Sequence, residues 1–196
     1  MGRKKALQNR DSLILDAAAT LFSARSYEKT TLDEIAVQAG ISKGSIYLEF
    51  PSKEEILYRL FQRNKEAELA DMRRIATETD GGALTCLKTL LITNLLAIYD
   101  SVQQNQLSME EILQTRKHLY EKIKPYIEAR LNLVEELLNR AERQGEISPL
   151  PNPRRTAQLI MMALRALRPP YVDALTRDSL QRDADEIIEL LMDGLQ

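Results

Sequence analysis

The sequence predicts an all-α protein of about nine helices, with a small three-helix head preceding a larger helical body. Three observations carry that expectation. Leu, Ala, Glu, Arg and Lys dominate a composition that is 44% apolar, which favours helix and suffices for a core. Only 7 Gly and 7 Pro punctuate 196 residues, and no run alternates apolar and polar side chains as a strand would. Capping boxes and glycine or proline stops mark the helix ends.

The head is read as three short helices. Over residues 12–24, Leu13, Ala17, Leu21 and Ala24 recur at helical spacing, with Ile14, Ala18 and Phe22 alongside. Thr31 and Glu34 form a capping box ahead of Ile35, Ala36 and Ala39, and Gly40 ends this second helix. Ser42 caps a third, carrying Ile46, Tyr47 and Phe50 and stopped by Pro51. Ser52 and Glu55 open a longer helix through Ile56, Leu57, Leu60 and Phe61 to about Glu78. The expected division is a head over 1–51 and a body over 52–196.

In the body, residues 83–102 are apolar nearly all round, as suits a helix buried in a bundle. Ser108 and Glu111 open a further segment. A long amphipathic helix follows, with Leu119, Ile123, Ile127, Leu131, Val134, Leu138 and Ala141 inward and Pro125 marking a kink or a restart. Gly145 closes it. Asn152 and Pro153 open a helix over 153–168, ended by Pro169-Pro170, and a last helix spans 179–195.

Composition excludes several classes. One cysteine, Cys86, rules out an internal disulfide framework and suits a reducing cytoplasm. No apolar run approaches the roughly 20 residues of a membrane span. One His and one Cys argue against a soft-ligand metal site, no cofactor motif is present, and no GxxxxGK[ST], HExxH or GxSxG signals an enzyme. Residues 1–65 hold 11 Lys/Arg and 8 Asp/Glu, a net of +3, whereas 66–196 hold 16 and 21, a net of −5. Arg3, Lys4, Lys5 and Arg10 precede any acid. A basic front end on an acidic body suits phosphate contact; a solvated basic tail explains those four charges equally well.

Residues 32–51, LDEIAVQAGISKGSIYLEFP, place two short helices about a tight turn at Gly40, with the small Ala36 where they cross and Ile35, Ala39, Ile41 and Ile46 inward. This is helix-turn-helix spacing, which holds the second helix proud enough to enter a major groove.

The stretch Thr30 to Leu57, with Ala17-Ala18-x-x-Leu21-Phe22 and Tyr27 before it, resembles the N-terminal domain of the tetracycline-repressor (TetR) family over about residues 10–60. That resemblance implies a DNA-contacting set of Thr31, Ser42, Lys43, Gly44, Ser45, Tyr47, Leu48 and Lys53. Thr31 would cap its helix and offer its hydroxyl to a phosphate. Lys43 and Ser45 would face base edges, Gly44 would allow close approach, and Tyr47 would meet backbone and thymine methyls. Lys53 would bind a phosphate at a helix start. Leu48 and Glu49 depart from the family pattern, and Ser26 stands where a glycine usually ends the first helix. A carboxylate at Glu49 is repelled by phosphates; it is expected to pair with Lys53 or to point away, with cytosine N4 as the remaining alternative.

The resemblance also implies an unidentified small-molecule effector, for which Met72, Tyr99, Met109, His118, Tyr120 and Tyr126 are the candidate pocket residues, although Met and Tyr at such spacing also serve as ordinary core. The last two helices are broadly apolar, and Ile160, Met161, Leu164, Leu167, Ile187, Ile188 and Leu191 are the candidate interface of a homodimer. The expected function is a cytoplasmic repressor, free of any membrane, that a small molecule releases from a palindromic duplex operator. The rival reading is an all-α ligand-binding or interaction dimer that does not bind DNA.

Overall fold

The computed structural model describes the backbone of residues 2–105, 109–167 and 176–195, and the side chains of 10–100, 103, 121–167 and 176–195. Among them are eight helices and no strand: α1 Gly2–Arg25, α2 Leu32–Gln38, α3 Lys43–Glu49, α4 Lys53–Glu78, α5 Ala83–Asn105, α6 Met109–Arg143, α7 Pro153–Arg165 and α8 Arg177–Asp193. The count is one below expectation because α6 runs unbroken through Pro125. The proline leaves the carbonyl of Glu121 without its helical donor, but Glu121 is exposed and water can serve. The cap expected at Ser108 and Glu111 lies outside the described residues.

The chain divides into two units inside α4, the first reaching Glu66 and the second beginning at Ala67. In the head, α1, α2, α3 and the first turns of α4 enclose Ile14, Ala17, Ala18, Leu21, Ile35, Ala36, Ile46, Phe50, Ile56 and Leu60. Leu13 and Ala24, which share that helical spacing, are exposed. A helix buries one stripe, and Ile14, Ala18 and Leu21 occupy it. Because α1 begins at Gly2, the basic stretch expected as a tail is helical in its backbone; the side chains of Arg3, Lys4 and Lys5 lie outside the described residues.

In the body, α5 is the central element. Cys86, Leu87, Leu90 and Leu91 join a cluster with Met72, Ile75, Leu131, Val134, Leu138, Ala157, Ile160, Leu164 and Ile188, while Leu95 and Leu96 pack with Leu180 and Ala184. By length and composition, Ala83–Asp100 could cross a membrane, which corrects the expectation that no run comes close; its buried leucines are those that build these two clusters. Ile127, expected inward on α6, is exposed.

The body also contains a cap that joins distant segments. Gly145 ends the α6 segment at φ +71°, where glycine is unstrained. The next residue, Glu146, then receives the Ala83 and Leu84 N–H groups at 2.9 and 2.8 Å on its carboxylate. A negative charge on the first N–H groups of a helix is favourable. Gly82 makes room for it, since a Cβ there would stand 2.2 Å from Glu146 Oε1.

Candidate nucleic-acid interface and ligand site

The turn between α2 and α3 is set by local chemistry. Thr31 Oγ1 accepts from the Glu34 N–H at 3.3 Å and donates to the Glu34 carboxylate at 2.9 Å; the Thr31 N–H reaches that carboxylate at 2.9 Å as well. This is the expected capping box. Arg25 adds an ion pair to Glu34 at 2.8 Å. The Thr31 N–H, its hydroxyl and then Arg25 hold the Glu34 carboxyl below its ordinary value of 4.5. Gly40 turns the chain at φ +67°, and the Ile41 N–H donates to the Ala36 carbonyl at 3.0 Å, closing the helix end.

Ser42 caps α3, its hydroxyl accepting from the Ser45 N–H at 3.2 Å and meeting the Ser45 hydroxyl at 2.8 Å. Ile46 and Phe50 anchor the helix in the head core. The remaining positions follow from that anchoring: Ser42, Lys43, Gly44, Tyr47 and Leu48 are exposed and Ser45 is half-buried. Leu48 is 86% exposed and Tyr47 48%, so both side chains project outward. Lys43 Nζ lies 2.6 Å from Asp33 Oδ2, and this bond raises the Lys43 pKa. Both groups are exposed, and such pairs exchange partners readily. At Gly44 an added Cβ would meet nothing within 4 Å. The fold therefore places no demand for glycine there, although glycine disfavours a helix by about 0.5–1 kcal/mol relative to alanine. An approaching partner supplies a reason that the chain itself does not.

Two residues are placed otherwise than expected. Lys53 Nζ donates to the carbonyls of Tyr27, Thr30 and Glu28 at 2.7, 2.9 and 3.4 Å, and it stands 4.2 Å from the centre of the Tyr27 ring. An ammonium has three protons, and these partners account for all of them. Lys53 thus clamps the loop after α1, where the expected role was a phosphate ligand. Ser26 begins that loop at φ +73°, a left-handed residue without glycine's freedom. Burial, followed by Glu54 and Glu28, pushes the Tyr27 hydroxyl up to about 12. Glu49, expected to pair with Lys53 or point away, lies 3.8 Å from Arg10 on α1.

The body holds a feature that the sequence reading missed. Glu68 on α4, Asn94 on α5 and Arg130 on α6 meet inside it. Asn94 Nδ2 donates to Glu68 Oε1 at 2.5 Å, Arg130 Nη2 donates to Asn94 Oδ1 at 2.5 Å, and Arg130 Nη1 lies 3.6 Å from Glu68 Oε1. Asn94 is 4% exposed, and the Arg130 and Glu68 side chains 11% and 13%. Burial lowers the Arg130 pKa, and Glu68 opposes that shift. Among the described residues, the buried Nε atoms of Arg130 and Arg140 have no hydrogen-bond partner. The one sequence signal was Asn94, a lone amide in the apolar run of α5.

Of the six pocket candidates, Met72 is buried one turn after Glu68, Tyr126 is half-buried one turn before Arg130, and Tyr99 packs beside Leu95 and Leu96. The side chains of Met109, His118 and Tyr120 lie outside the described residues. A separate surface cleft of 320 Å³ between the end of α4 and α6 is walled by Arg73 and Arg140 over Leu133 and Leu137; none of the three described candidates lines it. Of the expected interface residues, Ile160, Leu164 and Ile188 are buried in the body's own core, where they are closed to a partner, and Met161, Leu167, Ile187 and Leu191 are packed against it. The exposed apolar side chains of α7 and α8 are Leu159, Met162 and Leu190.

Residues 14–67 match the family described as bacterial regulatory proteins, tetR family. The fatty acid metabolism regulator protein of Bacillus subtilis is 27% identical over 189 residues, covering 93% of each chain. The regulator RutR of Escherichia coli is 23% identical over 99% of this chain and 94% of its own. Among solved structures, a transcriptional regulator from Cytophaga hutchinsonii superposes with a TM-score of 0.79 at 18% identity over 94% of this chain and 97% of its own. Bacillus subtilis FadR in complex with stearoyl-CoA gives 0.71 at 25% identity over 94% and 99%.

Proposed function

We propose that the chain, whose residues 14–67 match the tetR family of bacterial regulatory proteins, is a DNA-binding transcriptional regulator of that kind: a homodimeric cytoplasmic repressor, released from a palindromic operator by a long-chain acyl thioester. The observation that carries the DNA reading is the outward face of α3, where Ser42, Lys43, Gly44, Tyr47 and Leu48 are exposed and the glycine serves no need of the fold. Thr31 and Ser45 flank that face, and phosphate binding falls to exposed cations other than Lys53.

Leu159, Met162 and Leu190 support the dimer. They leave an apolar strip on the last two helices that a twofold mate would cover as a four-helix bundle. Two heads so joined would fit major grooves about 34–36 Å apart. The similarity to the Bacillus subtilis fatty acid regulator, and to FadR holding stearoyl-CoA, supports the acyl effector. The effector acts by preferring a conformer in which α4, which continues from head into body, has moved; differential affinity for the two states is its only lever. The rival reading without DNA drew its support from Glu49, and Arg10 now answers that charge.

The test is a selection from random duplex DNA with the intact protein, followed by affinity measurements at two salt concentrations with and without palmitoyl-CoA. A palindromic winner, a steep salt slope and release by palmitoyl-CoA are expected. A folded dimer that enriches nothing sinks the DNA reading. A winner indifferent to palmitoyl-CoA sinks the acyl effector alone.

A further inference from the structure

We infer that Asp33 is a positioning residue for base readout: it aims the Lys43 ammonium at the two acceptors of a guanine and holds it back from the phosphates. The inference rests on the DNA-binding reading and adds to it a base and the residue that selects it. Asp33 lies in the first turn of α2 and Lys43 opens α3, so their 2.6 Å contact joins the two helices of the motif. The fold has little use for that contact. The two side chains are 51% and 67% exposed, and a pair so exposed adds little to stability. Glu34 already completes the capping box of α2, and Ile35, Ala36 and Ile46 fix both helices in the core. A carboxylate on a face that meets DNA is repelled by the phosphates, so its presence there calls for a compensating service.

The donors of Lys43 supply that service. An ammonium has three protons. Asp33 Oδ2 takes one and leaves two for a ligand. In the major groove guanine alone presents two neighbouring acceptors, N7 and O6. A lysine free on its flexible four-carbon stem samples many positions and neutralises whichever phosphate it reaches. One anchored to α2 has already lost that freedom, and it binds only acceptors that lie where the anchor holds it. Asp33 therefore weakens binding to DNA at large and spares the guanine contact. Specificity is a difference of affinities, and penalising the wrong partner widens it as surely as favouring the right one.

The experiment uses the full-length protein and the duplex it enriches from random DNA. Each guanine of that duplex is replaced in turn by 7-deazaguanine, which lacks the N7 acceptor and keeps its base pairing. Wild type should have a guanine in each half-site whose replacement costs about fivefold in affinity, the lower end of a bidentate base contact. Lys43→Ala should be indifferent to the same replacement. Asp33→Asn keeps the size and removes the charge, so most of the sensitivity should disappear. The same variant should bind random-sequence DNA up to about fivefold tighter, the most that an exposed pair holds back, with a salt slope steeper by about 0.9. Asp33→Ser also removes the charge and repeats the measurement should the asparagine variant fail to fold. A charge-free variant as sensitive as wild type overturns the positioning role, whatever its slope. A wild type with no sensitive guanine, or one equally sensitive in Lys43→Ala, overturns the guanine assignment and leaves the DNA reading standing. A folded protein that enriches no duplex overturns both.

Discussion

The head and the body treat polar side chains in opposite ways. In the head, an apolar core lies beneath polar groups that face outward, and its main ion pairs, Arg25–Glu34, Lys43–Asp33 and Arg63–Asp16, are between exposed partners. In the body, an arginine, a glutamate and an asparagine are largely buried and bonded to one another. The head's outward groups are free to exchange partners with DNA at small expense to folding. The body's inward groups are bonded to one another, away from solvent.

Substitutions sharpen the contrast, beginning with the largest expected effect. Arg130→Leu leaves Glu68 buried without its cation and should destabilise the protein by about 3–5 kcal/mol in urea unfolding, whereas replacing both Arg130 and Glu68 by leucine should recover most of that loss. A single substitution costing less than 1 kcal/mol would mean that the triad is hydrated. Lys53→Ala should destabilise the head by roughly 1.5–3 kcal/mol, the worth of hydrogen bonds from a charged group, while the salt dependence of DNA binding stays the same. A slope shallower by about 0.9 would restore Lys53 to the phosphate contacts.

Gly44→Ala should do the reverse. Thermal unfolding should show a gain of about 0.5–1 kcal/mol, because the helix gains from alanine, yet operator affinity should fall because the added methyl stands between α3 and the groove. Unchanged affinity would remove Gly44 from the interface.

The smallest effect is a pH dependence confined to the head. The folded Glu34 carboxyl titrates below its ordinary 4.5, chiefly through the Thr31 N–H. A depressed carboxyl stabilises fully above its unfolded pKa, and that contribution disappears as pH falls through the lower folded value. Acid unfolding of wild type should therefore start to diverge from that of Glu34→Gln below about pH 4.5, with the variant showing the flatter profile. Parallel profiles would show that the capping box is indifferent to the charge.

Much of the head was legible because its determinants are neighbours in sequence. Thr31 with Glu34, Gly40 after Ala36 and Ser42 with Ser45 interact within one or two turns, and backbone chemistry at that range depends little on the rest of the chain. The outward face of α3 followed once Ile46 and Phe50 were placed inside. The partners of Lys53 were not legible, because the carbonyls of residues 27 to 30 lie more than 20 residues away. Glu49 was misread for the same reason, since Arg10 comes from the start of α1.

The sequence by itself determined the fold class, the helix-turn-helix and the bounds of its two short helices, because periodicity, capping and glycine turns act over a few residues. Tertiary structure decided which apolar side chains the body keeps for itself, as Ile160, Leu164 and Ile188 do, and which it leaves outside, as with Leu159, Met162 and Leu190. It alone brought Glu146 onto the start of α5 and joined Glu68, Asn94 and Arg130 from three helices. A helix's own pattern shows that it has an inner stripe, but which polar group is buried, and against what, depends on partners that only packing between distant segments supplies.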